Sequence, residues 1–177
     1  MSDDRPHGYK PFDEDLYQNN KDAEEIVLKM IKLPPGLILI NNPDPYGIDL
    51  LVKHVATEII IGGIETEKRH IKNWNGGFPF KEVNFLVRKK KYAALNNFYI
   101  QINANNLTEA LMIGFDELMY YRIEISDNVM VLHEGKYKVP INHCMWGWEE
   151  INKVISLYFN NPEPYLHMLV DIEESEK

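Results

Sequence analysis

The sequence holds a single cysteine, Cys144, among its 177 residues. That excludes an internal disulfide, and with it a zinc site built on cysteine clusters; the six histidines show no ligand spacing either. Cys144 reads as a small buried hydrophobe, and its neighbourhood HCMWGW (143–148) as an aromatic turn lining a core. Long apolar runs are also missing. Nothing approaches the roughly 18 consecutive apolar residues a membrane-spanning helix needs. The opening MSDDRPHGYKPFDEDLYQNN is polar and acidic with no apolar signal core, so a cytoplasmic protein is expected. The glycine patterns of a P-loop, a dinucleotide-binding turn and a nucleophile elbow are absent, which removes the sequence support for those three enzyme classes.

Positive charge is scarce: 19 Lys and Arg stand against 27 Asp and Glu, a net charge of -8. The scarcity is uneven. Between Glu65 and Leu95 eight bases face three acids, a local +5 that leaves -13 on the rest. A basic island on an acidic body suits phosphate binding at one face, and also suits a solvated loop.

What is present reads as one α/β domain at 20–170, behind an irregular arm at 1–19 and before an acidic tail at 171–177. Ala23, Ile26, Val27, Met30 and Ile31 follow helical spacing. Asn20 is placed to cap that helix, Asp22 and Glu24 fall in its first turn, and Pro34-Pro35-Gly36 stops it. Strands are predicted at 37–40, 48–52, 57–67, 82–87 and 96–104, with Gly62-Gly63 marking a bulge or a close backbone approach. The stretch KRHIKNWNGGFPF is read as helical or irregular. TEALMIGFDELMYYRIEI begins as either helix or strand, and a short helix is expected near EEINKVISLYF.

Acids recur at strand ends. Alternation puts Glu65 and Glu67 on one strand face, and neighbouring strands would bring Asp49 beside them. Three carboxylates so close repel one another, a conflict that a hard divalent cation removes. Mg²⁺ or Mn²⁺ there could polarise a phosphoryl oxygen and activate a water. Asp44, between two prolines, reads instead as turn chemistry.

PDPYGIDLLV followed by IETEK resembles the PD-(D/E)XK, or restriction-endonuclease-like, nuclease superfamily. Asp49 matches the first motif acid and Glu65 the second, while Glu67 stands where the family has its lysine and Lys68 comes one residue later. The trailing W…FPF…VNFLVRKKK is similar to poorly characterised, often phage-borne members. The resemblance implies a mixed sheet flanked by helices, in helix-strand-strand-strand-helix-strand order. It implies a Mg²⁺-dependent endonuclease whose site is Asp49, Glu65 and Glu67, with Lys68 stabilising charge. Many members add an acid from the first helix; Glu24, at the margin of the apolar arc, is the candidate and Glu25 points to solvent.

DNA is the implied partner, with Arg69, Lys72, Arg88, Lys89 and Lys90 on phosphates and a homodimer if both strands are cut. Trp74, Phe78 and Phe80 either stack on bases or pack locally. The rival readings are an inactive nuclease-fold module that binds DNA or protein, and an acidic interaction protein with no nucleic-acid role.

Overall fold

The centre of the chain is buried on both strand faces, and that decides the architecture. In the computed structural model, which describes residues 14–160 except 72–73, 75–76, 95 and 129–130, both faces of the strand Asn97–Asn103 are buried. Phe98, Ile100 and Ile102 enter one core cluster, while Tyr99 enters a second on the opposite face. A strand buried on both sides has to be central, with a layer on each face.

The main sheet has six strands. In chain order they are β1 (Leu37–Asn41), β2 (Leu50–His54), β3 (Ile60–Arg69), β5 (Asn97–Asn103), β6 (Ala110–Gly114) and β9 (Met145–Trp146), and they lie side by side in that order. All neighbours are antiparallel except β3 and β5, which run parallel with Glu65 opposite Tyr99 and Glu67 opposite Gln101. The sheet is therefore mixed, and the molecule mixed α/β. Two helices, α1 (Glu14–Met30) and α3 (Gly147–Phe159), cover one face, burying Ala23 and Val27 from the first and Ile151, Ile155 and Phe159 from the second. Each fully buried side chain of this size contributes about 1.5–3 kcal/mol, so this seam fixes α1 along β3.

The other face corrects an expectation. Instead of helices it carries a second, three-stranded sheet, β4 (Glu82–Leu86), β8 (Val131–Pro140) and β7 (Ile123–Asn128), together with the four-residue α2 (Phe115–Leu118). Trp74, Val83, Phe85, Phe115, Tyr137 and Val139 pack there against Tyr99, Leu111 and Ile113. The connection from β3 to β5 likewise lacks the expected helix among its described residues. It passes through β4 and a 3-10 turn at Val87–Tyr92.

Helix α1 begins at Glu14, so residues 14–19 belong to it rather than to an irregular arm, and Asn20 lies inside it rather than at its cap. Residues 1–13 and 161–177, including the acidic tail, lie outside the described residues. The 108–125 stretch resolves into β6, α2 and the start of β7. The glycine pair does both things anticipated for it. Register shifts beside Gly62, and a Cβ there would sit 2.4 Å from the Asn96 carbonyl oxygen, so only glycine fits. Among the described residues no helix is long and apolar enough to cross a membrane.

Candidate functional site

The loop 42–47 delivers Asp49 to the end of β2. Asn42 ties that loop by donating its side-chain amide to the Ile48 carbonyl, 2.8 Å, while its backbone N–H meets the Asp49 carbonyl at 3.0 Å. Asp44 closes a turn onto the Tyr46 N–H at 2.9 Å, the local role read for it. Leu50 pairs with Ile64, so one step further Asp49 and Glu65 come level across the β2–β3 ladder.

Asp49 Oδ2 accepts two hydrogen bonds from one residue, from the Thr66 N–H at 2.7 Å and the Thr66 hydroxyl at 2.9 Å. Burial nevertheless pushes the Asp49 carboxyl above the usual range, against the pull of Lys89 and those donors. Glu24 comes to the same place from α1, half-buried and well inside the helix, so its role is not first-turn dipole stabilisation. Its carboxyl is pushed up to about 7, mainly by burial and then by facing Asp49, with Lys21 partly offsetting both. Glu25 is exposed.

Glu65 is fully buried. One carboxylate oxygen is held by the Lys89 ammonium, and the other, Oε2, is buried with no hydrogen-bond partner. Lys89, read from the sequence as a phosphate contact, turns inward from the 3-10 turn onto Glu65 and near enough to Asp49 to act on its charge. Burial draws its own pKa down from the ordinary lysine value. Side chains three apart eclipse in a 3-10 turn, and Tyr92, on Lys89's side, is anchored to the loop carbonyls of Tyr46 (2.8 Å) and Gly47 (2.6 Å). The Lys89 ammonium stands 5.5 Å from that ring.

Glu67 shares the face of Glu65 but is otherwise engaged. It accepts from Tyr99 Oη at 2.8 Å, Gln101 Nε2 at 2.9 Å and, more weakly, Arg69 Nη1 at 3.4 Å. Lys68 points to the opposite face, where it pairs with Asp22 of α1 at 2.8 Å. Arg88 and Lys90 are exposed on the 3-10 turn, and Lys72 lies outside the described residues. The structure thus links Glu24 to Asp49, Asp49 to Lys89 and Lys89 to Glu65, while Lys68 and Glu67 have partners of their own.

In donor type this set suits a hard cation: three carboxylates, one with an orphaned buried oxygen and one whose ionisation is resisted by its neighbour. Among the described residues, however, no three acidic, histidine or cysteine side chains already stand in a metal-holding arrangement. Lys89 occupies part of the charge-balancing role instead. No protein-family model, curated protein or solved structure matches the chain.

Proposed function

We propose that the chain is a metal-dependent deoxyribonuclease with a restriction-endonuclease-like core, its site formed by Glu24, Asp49 and Glu65 with Lys89. One observation carries the reading. Charged groups from a helix, from the start of one strand, from the middle of its neighbour and from the crossover between parallel strands are linked in a partly buried series: Glu24 faces Asp49, Asp49 feels Lys89, and Lys89 holds Glu65. Structural ion pairs seldom need two carboxylates held against each other at the cost of a raised pKa; sites that handle cations and phosphates do.

Each residue has a part. Glu24, Asp49 and the free oxygen of Glu65 would hold Mg²⁺ or Mn²⁺, which when bound would polarise a phosphoryl oxygen and activate a water. Thr66 fixes the Asp49 carboxylate by its two donors, leaving the rest of that group to face the site. Lys89 would take the part of the motif lysine although it comes from another element, its ammonium meeting the charge that builds on a phosphate. Glu67 is a positioning residue, tying β3 to β5 through Tyr99 and Gln101.

A second reading has its own support. The Lys89–Glu65 pair already neutralises the most buried acid, which suits a nuclease fold kept for DNA binding alone. Incubation of linear, circular and branched DNA with Mg²⁺, Mn²⁺ or EDTA, alongside folded Asp49→Ala and Glu65→Ala, decides between them. Metal-dependent cleavage that both substitutions abolish supports the nuclease. Binding without cleavage, indifferent to metal and to both substitutions, leaves the binding module.

A further inference from the structure

Beyond the acids, on the same face of β3, lies a groove of about 550 Å³ lined by Arg69, Phe78, Phe80, Lys81, Glu82, Asn84, Lys138 and Ile71. Its volume is that of a small-ligand site. Its lining carries three cations and one acid, a local +2 on a chain of net -8. The acid is spoken for, since both carboxylate oxygens of Glu82 accept from Arg122 Nη2, at 2.8 and 2.9 Å. The cations are partly engaged: Arg69 makes one long bond to Glu67 at 3.4 Å while its buried Nε has no partner, and Lys138 meets Glu124 at 3.4 Å.

The aromatic wall is packed from behind. Trp74 is fully buried and meets Phe78 edge-on at 5.1 Å; Phe78 in turn meets Phe80 at 5.9 Å, and Phe80 is 57% exposed. A large ring held from behind and open in front, beside three cations, matches a nucleotide: a flat base to stack and an anionic phosphate to pair.

We infer that this groove seats one unstacked nucleotide of a single strand, with its base on Phe80 and its phosphate among Arg69, Lys81 and Lys138. A duplex buries its base faces in the stack, so the occupant is a single-stranded tract, flap or frayed end. Arg69 lies four residues beyond Glu65 along one regular strand, about 13 Å at the usual rise. The seated nucleotide is therefore roughly four stacked steps from the acids, fewer in an extended strand. The inference deepens the nuclease reading by naming the strand form the site receives, and it rests on that reading only for cleavage.

The test is anisotropy of fluorescein-labelled single-stranded DNA and RNA of about a dozen nucleotides, and of a matched DNA duplex, all in EDTA. Phe80→Ala is expected to weaken single-strand binding at least fivefold, leave duplex binding alone and keep the melting temperature; Phe80→Trp is expected to retain binding. Lys81→Ala should lessen the salt dependence of single-strand binding by about one phosphate contact. The ratio of DNA to RNA affinity identifies which strand is preferred. Wild-type protein that binds neither strand, or Phe80→Ala that binds both unchanged, overturns the seat. Single-strand binding that depends on Phe80, in a protein that cleaves nothing with metal, upholds the seat and removes the nuclease reading.

Discussion

Asp49 and Thr66 are joined twice through one oxygen: the Thr66 N–H and hydroxyl both end on Asp49 Oδ2, at 2.7 and 2.9 Å. Donors on a carboxylate normally lower its pKa, yet burial keeps this one raised, and Glu24 opposite is raised partly on its account. The pair therefore holds a charge in a place that does not favour it. Asp49→Asn keeps the shape and the acceptor for Thr66 but removes the charge. In EDTA at neutral pH it is expected to raise the melting temperature by about 2–4 °C, the equivalent of about 1 kcal/mol in a domain this size. It is also expected to abolish any rise in melting temperature on adding Mn²⁺. A fall of similar size in EDTA would mean that Lys89 makes the Asp49 charge net stabilising.

The two candidate lysines separate by the burial of their partners. Lys89 holds a Glu65 side chain only 1% exposed, whereas Lys68 pairs with Asp22, 62% exposed. Removing one partner of a buried pair strands the other charge and costs about 3–5 kcal/mol, while an exposed pair is worth at most about 1 kcal/mol. Denaturant unfolding of Lys89→Met in EDTA should show the larger loss, partly recovered with a divalent cation that takes over the Glu65 charge. Lys68→Met should stay near wild type with or without metal. Equal losses would place the two lysines in equivalent surroundings, contrary to the structure.

How far the site was legible follows from periodicity. Strand alternation and two consecutive apolar runs sufficed to bring Asp49 level with Glu65, because both acids lie on or beside regular ladder. Lys89 was hidden for the opposite reason. Within RKKK nothing in composition separates the inward residue from its neighbours, and a 3-10 turn has neither the 3.6-residue nor the two-residue period that would mark its buried side. The second sheet was hidden by distance along the chain. Glu82–Leu86 was readable as a strand, but its partner Val131–Pro140 lies far downstream, so sequence gave no reason to take β4 out of the main sheet. The early start of α1 escaped because the sequence from Glu14 to Asn20 lacks the apolar spacing that begins at Ala23.

Glu24 gives the site a pH signature. Its carboxyl titrates at about 7 in the fold against an ordinary 4.5, so the folded chain holds that proton more tightly than the unfolded chain does. The corresponding stability is complete below about 4.5 and is lost as pH rises through about 7. Melting curves in EDTA from about pH 5 to pH 8 should therefore decline more steeply for wild type than for Glu24→Gln. With Mn²⁺ present the trend should reverse, because a cation bound by Glu24 requires its ionised form. Parallel pH profiles for the two proteins in EDTA would show that Glu24 ionises freely and does not face Asp49.

Glu67 tests whether sharing a strand face with Glu65 is enough to share its chemistry. Its carboxylate gathers donors from Tyr99, Gln101 and Arg69, and the fully buried Tyr99 hydroxyl is driven well above its ordinary pKa, first by burial and then by Glu67 itself. Glu67→Gln turns an amide NH₂ towards one of these donors, leaving a buried group unsatisfied at a cost of about 1–3 kcal/mol. Tyr99→Phe removes the donor instead. A double-mutant cycle on the pair should give a coupling of about 0.5–3 kcal/mol in EDTA, as for any two residues in one buried network. The rise in melting temperature with Mn²⁺ should survive in Glu67→Gln. Its loss, with little change in stability in EDTA, would make Glu67 a metal ligand and move the cation along β3 towards Arg69.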